Sequence, residues 1–129
     1  MKGLKGKTAI VSGGATLIGE SCGAVLAGYG VNVVIADINE ADGARVAKSI
    51  GRKASFVRTD ITSDKDIKAL VAATVKKHKR LDFIVNVACT YLVTGPDTSR
   101  ADWLKAFDVN VVGSVMLMQA ARPHLKKVK

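Results

Sequence analysis

The sequence predicts an α/β fold in which helices cover both faces of a doubly wound parallel sheet. Two observations lead to this prediction. Four short segments are rich in β-branched residues and almost continuously apolar, as strands are when a parallel sheet is buried on both faces. Helical patterns separate these segments, and this alternation favours right-handed crossovers between parallel strands.

The first helix follows the first of four predicted strands. These strands are Lys7–Ser12, Val31–Asp37, Ala54–Asp60 and Leu81–Ala88. Between the first two, helical spacing predicts an apolar face made of Ile18, Cys22, Val25, Leu26 and Tyr29. Gly30 follows this helix and is typical of a helix stop.

The second and third helices carry recognisable caps. Asn39 is the predicted N-cap of the second helix, which ends at Gly51. Ser63 and Asp66 resemble a capping box, with Asp in place of Glu, at the start of the third helix. Its apolar stripe comprises Ile67, Leu70, Val71, Thr74, Val75 and His78.

A long helical region follows the fourth strand, from about Ser99 to Leu125. We expect a bend near 108–110, and Pro123 is expected to help end the helix. Within it, Trp103, Leu104 and Phe107 are interpreted as core or interface anchors.

Composition agrees with one globular domain over residues 1–129. Hydrophobic residues make up 48% of the chain, and no stretch reaches the roughly 18 consecutive apolar residues of a membrane span. Cys22 and Cys89 do not make a disulfide framework, which favours a reduced, cytoplasmic setting. Neither cysteine is predicted to bind a metal, and Cys22 is interpreted as a core residue.

The net charge of +9 is concentrated at the two ends of the chain. Six of the 20 basic residues are Lys2, Lys5, Lys7, Lys126, Lys127 and Lys129. A further cluster at 76–80 lies where a helix should end, where cations complement the helix dipole. No aromatic residues interleave with these cations, so a nucleic-acid partner is not predicted, and a basic nucleic-acid-binding domain remains the weakest alternative.

A glycine-rich turn joins the first strand to the first helix, from Ser12 to Gly19. Such a turn lets the backbone approach a pyrophosphate, and the helix N-terminus offers free N–H groups. Asp37 ends the second strand, where a carboxylate can accept hydrogen bonds from ribose hydroxyls and repel a 2′-phosphate. The cofactor predicted is therefore NAD rather than NADP. The alternative is that Asp37 merely caps the following helix.

Four motifs in this order resemble the N-terminal, cofactor-binding half of a short-chain dehydrogenase/reductase. Ser12, Gly13 and Gly19 match the family motif T-G-x-x-x-G-x-G. Asp60-Ile61 stands where relatives bind the adenine amino group, and 86–89 stands where they have N-N-A-G. Residues 108–113 match D-V-N-x-x-G. The resemblance implies a Rossmann fold.

The resemblance also implies a set of site residues. Those expected to bind the cofactor are Ser12, Gly13, Thr16, Leu17, Ile18, Gly19, Asp37, Ile38, Asp60, Ile61, Asn86, Val87 and Ala88. In relatives, the residue equivalent to Asn110 bends the long helix and supports a proton relay, so Asn110 is the catalytic candidate. No metal is implied.

Three residues depart from the family motifs. Leu17 replaces the middle glycine, so its side chain must point away from the turn or cofactor affinity falls. Val87 and Cys89 replace Asn and Gly, which removes a polar tie between strands and adds a thiol near the expected ribose.

The family's catalytic Ser and its Tyr-x-x-x-Lys pair are not found in these 129 residues. The fourth strand would also form an open sheet edge without protection by Pro or bulges. Such an unprotected edge has unpaired backbone groups, which favours pairing with a further strand. We therefore expect the natural protein to continue past Lys129, with the sheet incomplete at its strand-4 edge. The 129 residues alone are expected to be inactive.

The resemblance implies an NAD-dependent oxidoreductase that transfers a hydride between nicotinamide and a small alcohol or ketone substrate. In relatives the long helix makes subunit contacts, which implies a homo-oligomer, a dimer or tetramer. A non-catalytic nucleotide-binding module is the alternative.

Overall fold

A four-stranded parallel sheet lies between two layers of helices in the computed structural model, which describes residues 2–128. The strands are β1 (Thr8–Ser12), β2 (Asn32–Asp37), β3 (Ala54–Arg58) and β4 (Phe83–Asn86). The helices are α1 (Leu17–Gly28), α2 (Glu40–Ile50), α3 (Asp64–His78), α4 (Arg100–Phe107) and α5 (Gly113–Leu125), and a π-helical turn (Asp108–Val112) joins the last two. The strand order is β3-β2-β1-β4, which confirms the predicted fold class.

The strands are shorter than predicted because pairing, not apolar character, sets their ends. β4 pairs only with β1 among the described strands, from Ala9 opposite Phe83 to Ser12 opposite Asn86. Leu81 and Ala88 therefore lie outside the strand although both are apolar. No strand in residues 2–128 pairs with the other side of β4, as the sequence predicted.

Each face of the sheet has its own hydrophobic core. The core beneath α1 and α2 is built from Ala9, Val11, Val31, Val33, Ile35 and Val46. The core beneath α3 and α5 includes Ile10, Val34, Leu70, Val71, Leu117 and Ala121. Since neighbouring residues of β1 and β2 serve opposite cores, these strands have no polar face, which explains their continuous apolar character.

The predicted apolar face of α1 is partly wrong. Three of its five predicted residues are exposed, namely Ile18, Val25 and Tyr29. The buried positions are instead Gly19 and Gly23. A Cβ on Gly23 would lie 3.0 Å from Ile35 Cδ1, so α1 packs closely on the sheet through its glycines. Glycine carries no apolar signal, and the face therefore escapes a search for hydrophobic periodicity.

The cap of α3 forms as half of the expected capping box. The Ser63 Oγ accepts a hydrogen bond from the Asp66 backbone N–H at 3.2 Å. Asp66 does not return a bond to Ser63. Its carboxylate accepts from the Asp60 N–H at 3.0 Å and from the Arg58 guanidinium at 3.2 Å. The start of α3 thereby fixes the backbone of Asp60.

The long helical region bends as predicted, through the π-helical turn. Immediately after it, Gly113 packs against the segment that follows β3, because a Cβ on Gly113 would lie 2.7 Å from the Ile61 carbonyl oxygen. α5 ends at Leu125, the predicted end, two residues after Pro123. Pro123 has no N–H to donate to the carbonyl four residues earlier, which weakens the last turn of the helix.

An apolar stripe runs along the outward side of α4, the π-helical turn and α5. We call it the outer stripe, and its members are Trp103, Leu104, Phe107, Val111, Val115 and Met118, which are 39–63% exposed. The core interpretation of Trp103, Leu104 and Phe107 is therefore wrong, and the interface interpretation stays a prediction. None of the helices described is long and apolar enough to span a membrane.

Candidate nucleotide-binding site

A cleft of about 300 Å³ opens at the carboxyl ends of the strands. Eight predicted site residues line it: Ser12, Gly13, Thr16, Asp37, Ile38, Asp60, Ile61 and Ala88. Six further residues complete the lining: Ala36, Thr59, Cys89, Thr90, Lys105 and Val109. In open parallel sheets this edge is where ligands bind.

The glycine-rich turn forms one wall of the cleft. Gly13 has φ +67°, and a Cβ there would lie 2.5 Å from the Ala88 backbone nitrogen. Only glycine meets both conditions, because L-residues rarely adopt this φ and any side chain would collide with the backbone after β4. Gly19 is likewise constrained, since its Cβ would collide with the Gly13 carbonyl oxygen.

The hydrogen bonds of the turn leave a helix N-terminus available. Thr16 caps α1, since its Oγ1 accepts from the Gly19 N–H at 3.2 Å and donates to the Gly13 carbonyl at 2.8 Å. Among the described residues, no acceptor is assigned to the backbone N–H groups of Leu17 and Ile18. Free N–H groups at a helix N-terminus favour an anion.

The Leu17 side chain does not fill the turn. It is 87% exposed and does not line the cleft. Of the two outcomes expected for the missing glycine, the side chain therefore points away, and within residues 2–128 the Leu17 N–H stays unpaired at the N-terminus of α1. Ile18 is also exposed and outside the lining.

Asp37, the last residue of β2, contacts the glycine-rich turn through its side chain. Its Oδ2 accepts from the Ala15 N–H at 3.0 Å, and its Oδ1 accepts from the Asn39 N–H at 3.0 Å. It does not cap α2, because the Asn39 side chain takes that role by accepting from the Asp42 N–H at 3.0 Å. The capping alternative for Asp37 is therefore wrong.

Asp60 faces the same cleft from the end of β3. Its Oδ1 accepts from the Thr62 hydroxyl at 2.7 Å and from the Thr62 N–H at 2.9 Å. These two bonds hold the pKa of Asp60 below its ordinary value, against the opposing effect of burial, and Arg58 and Lys105 add to the lowering. Asp60 is thus an ionised acceptor at neutral pH, and neither bond occupies its second oxygen.

The residues after β4 are used differently from the prediction. Asn86 accepts a hydrogen bond from the Ser12 hydroxyl at 3.2 Å, which ties β4 to β1. Val87 packs against the core beneath α1 and α2. Neither lines the cleft, because the Asn86 side chain is held by Ser12 and the Val87 side chain packs on the core. Ala88 and the exposed Cys89 do line it.

The Asn110 side chain is occupied by the backbone of Thr90. Its Oδ1 accepts from the Thr90 N–H at 2.7 Å, and its Nδ2 donates to the Thr90 carbonyl at 3.0 Å. The amide thus anchors the segment after β4 to the π-helical turn. In this structure, the side chain itself is committed to Thr90.

Lys105 and Val109 are lining residues that sequence reasoning missed. They lie four positions apart on the long helical region, Lys105 on α4 and Val109 in the π-helical turn. Projecting that helix from Asn110 backward would have placed both on one face. Lys105 is the one positively charged residue among the described lining residues. Within residues 2–128, no cluster of potential metal ligands is present.

Known proteins are similar to this chain over most of its length. The family model described as short chain dehydrogenase matches residues 7–129. A 2,5-dichloro-2,5-cyclohexadiene-1,4-diol dehydrogenase of Sphingobium indicum is 37% identical over 92% of this chain and 48% of its own length. The (+)-borneol dehydrogenase 1 of Salvia officinalis is 38% identical over 99% of this chain and 50% of its own length. The chain thus spans about half the length of these relatives.

Solved structures show the same fold. A 3-ketoacyl-(acyl-carrier-protein) reductase from Brucella melitensis, complexed with NADH, superposes with a TM-score of 0.90 and 30% identity, over 96% of this chain and 52% of that one. A hydroxysteroid dehydrogenase from Escherichia coli gives 0.88 and 31%, over 96% and 54%.

Proposed function

The chain belongs to the short-chain dehydrogenase family, and on that premise we propose that residues 1–129 form the cofactor-binding domain of an NAD-dependent oxidoreductase. The observation that carries the proposal is a cleft lined by the glycine-rich turn and by the carboxylates Asp37 and Asp60, with two backbone N–H groups unpaired in the described part of the chain, those of Leu17 and Ile18, at the adjoining N-terminus of α1. These are the donors that a pyrophosphate needs and the acceptors that an adenosine needs.

The adenosine would bind between Asp37 and Asp60. Asp37 would accept from the ribose hydroxyls, and the free oxygen of Asp60 would accept from the adenine amino group, with Ile61 against the ring. The backbone N–H groups of Leu17 and Ile18 would receive the pyrophosphate, and Gly13 lets the backbone come close to it.

NAD is favoured over NADP by the charge around the ribose. Asp37 would repel a 2′-phosphate, and its neighbours Ile38 and Asn39 carry no positive charge. Lys105 is the cation of the described lining, and it lies on α4, where its charge acts on Asp60.

When bound, the nicotinamide would supply the hydride chemistry, with a small alcohol or ketone as substrate. This chain's contribution is positional, because Asn110 holds the segment after β4 through Thr90. Neither tyrosine has a lysine four positions later, where Val33 follows Tyr29 and Gly95 follows Tyr91. We therefore expect these residues alone to bind the cofactor without turning over substrate.

Calorimetry with the two cofactors tests the proposal. The chain should bind NAD and bind NADP at least tenfold more weakly. Asp37→Ala should weaken NAD binding by about 1–3 kcal/mol, because hydrogen bonds to a charged group are lost. Asp64→Ala, which removes an exposed carboxylate at the start of α3, should leave binding unchanged. Absence of NAD binding, or an unaltered affinity in Asp37→Ala, would refute the assignment.

A non-catalytic nucleotide-binding module is the second candidate. It is favoured by Val87 and Cys89, which replace the polar residue and the glycine that relatives have after this strand. An activity assay on the native protein separates the two candidates. If the protein is a non-catalytic module, it should bind NAD but neither oxidise nor reduce any small alcohol or ketone.

We further propose a homo-oligomer in a cytoplasmic setting. The outer stripe is contiguous and apolar, and a second copy of the same stripe would cover it. An antiparallel arrangement separates the two basic helix ends, each of which carries Arg122, Lys126 and Lys127. Both cysteines are free, as a reducing compartment would leave them.

A further inference from the structure

We infer that Asp37 is also a positioning residue for the glycine-rich turn, so that one carboxylate couples the adenosine end of the site to its phosphate end. The inference rests on the proposed nucleotide function and adds a second role to the same side chain. It is carried by the hydrogen bond from the Ala15 N–H to Asp37 Oδ2.

The turn is tied to β2 at two successive positions. The Gly14 N–H donates to the Ala36 carbonyl at 3.2 Å, and the Ala15 N–H donates to Asp37 Oδ2 at 3.0 Å. The first tie is backbone to backbone and survives any substitution that leaves the strand intact. The second depends on the Asp37 side chain alone.

Ala15, which donates the second tie, comes just before the anion-binding amides of Leu17 and Ile18 in the chain. Thr16 follows it as the N-cap of α1, and Leu17 carries the first unpaired N–H. A displacement of Ala15 would therefore move the cap and change the direction of both amides. Because a hydrogen bond weakens steeply as its angle departs from linearity, the amides lose affinity for a phosphate when they turn.

The carboxylate has enough acceptor sites for both roles. An ionised Asp has two oxygens and about four lone-pair positions. The N–H groups of Ala15 and Asn39 take one position on each oxygen, which leaves one on each for a ribose hydroxyl. Ribose can therefore bind without breaking the tie, and a hydrogen bond donated to a charged acceptor is stronger than one donated to a neutral acceptor.

Comparing adenosine with ADP separates the two roles of Asp37. The ratio of the adenosine Kd to the ADP Kd measures what the phosphates add to binding. If the carboxylate only contacts ribose, both ligands lose the same ribose contact when it is removed. The ratio should then stay unchanged or rise, because a negative charge near the phosphates of ADP disappears. In Asp37→Ala we expect the opposite, a ratio lowered about tenfold by the disordered turn.

A measurement without ligand tests the hydrogen bond between Ala15 and Asp37 independently of nucleotide binding. In Asp37→Ala, amide hydrogen exchange at Ala15 should accelerate about tenfold while exchange in β2 stays unchanged. Asn39→Ala is the matched control, since it removes the cap of α2 but keeps the backbone N–H that contacts Asp37. It should leave both the Kd ratio and Ala15 exchange as in the parent chain.

Two results would overturn the inference. One is an unchanged or raised Kd ratio in Asp37→Ala, and the other is unaltered exchange at Ala15. A parent chain that binds neither adenosine nor ADP would instead contradict the proposed function, while the exchange experiment would still report on the tie.

Discussion

Asp82 is a buried carboxylate at the amino end of the sheet, opposite the cleft. Its side chain is 3% exposed, and it receives hydrogen bonds from the Thr8 N–H at 2.9 Å and from Arg80 at 2.6 and 2.7 Å. Lys7 lies 3.3 Å away. Asp82 thereby ties the start of β1 to the start of β4, across 74 positions of chain.

These contacts set the charge state of Asp82. Burial would raise its pKa, but the hydrogen bonds from Arg80, from the Thr8 amide and from Lys7 outweigh burial and leave the pKa below its ordinary value. A lowered pKa in the folded state means that the ionised carboxylate stabilises the fold above the unfolded pKa of about 3.9. That stabilisation is lost as the pH falls through the folded pKa.

Asp82→Asn is expected to lower the free energy of unfolding at pH 7 by about 1–3 kcal/mol, because the charge-assisted hydrogen bonds are lost. As the pH falls below about 4, the unfolded carboxyl becomes protonated first, and the difference from the parent chain should shrink until the pH has passed the lowered pKa of the folded state, where the protonated carboxyl is similar to the amide. Urea unfolding at a series of pH values measures both effects. Asp64→Asn, at an exposed carboxylate, serves as control, and an equal deficit at pH 7 and pH 2 would contradict the prediction.

At the residue scale, prediction succeeded where one segment determines a side chain's position. Asp37 and Asp60 follow strands directly, so both were placed at the carboxyl edge of the sheet. Asp82 was missed because its partner Thr8 is remote in sequence and no spacing reveals the pair. Asn86 was assigned by motif alone, whereas its direction depends on its register beside Ser12.

Helix α5 is placed against the site by one glycine at its first residue. Gly113 contacts the Ile61 carbonyl, and Ile61 follows Asp60 directly. The close approach therefore sets how far the long helical region lies from the adenine end of the cleft. The sequence motif D-V-N-x-x-G thus combines the bend, the Asn110 anchor and the glycine contact in six positions.

Gly113→Ala should push α5 away from the segment after β3. We expect a loss of about 1–3 kcal/mol in the free energy of unfolding, as in other overpacked cores, together with weaker binding of NAD. Thermal unfolding and calorimetry measure the two effects.

Gly28→Ala is the matched control, because nothing lies within 4 Å of a Cβ added at that helical position. It should be neutral or slightly stabilising, as alanine is favoured over glycine in helices. Equal losses in both variants would mean that the Ile61 contact is not the cause.

At the element scale, the sequence predicts that an element exists better than where it ends. The sequence located every strand and every helical region, and the bend near Asp108 agrees with the role that the resemblance implies for Asn110. The face of α1 was missed because glycine, not apolar side chains, packs it on the sheet.

For the whole molecule, the outer stripe determines the expected assembly. Val111 lies near its middle, flanked by Phe107 and Val115. If two copies pack stripe against stripe, a charge at this position would lie in the interface with no partner.

Val111→Asp is therefore expected to convert a dimer or tetramer into monomers, as measured by sedimentation velocity. Val25→Asp is the matched control, since Val25 is an exposed valine on α1, outside the stripe. A parent chain that stays monomeric at high concentration, or a Val111→Asp variant that still associates, would contradict the proposed oligomer.

The overall architecture was predictable because alternating strands and helices admit few topologies. The position of β4 beside β1 was not predicted, because neither periodicity nor the crossover rule says which strands are neighbours. The depth and lining of the cleft were not predictable, since they depend on how closely the helices approach. Thr90, for example, is held at the cleft by Asn110 of the π-helical turn, a contact between segments 20 positions apart.

The strand order has a consequence for the time course of assembly. β1 meets β2 across 24 positions, as Thr8 lies opposite Asn32, but it meets β4 across 74, as Ala9 lies opposite Phe83. Closing the longer loop costs more entropy, so the pairing of β1 with β2 should form first. On the ribosome, the pairing of β1 with β4 must also wait until β4 has emerged. The backbone at Ala88 that closes over Gly13 arrives with it. A nascent chain therefore becomes able to hold a nucleotide only after β4 and the segment that follows it have emerged.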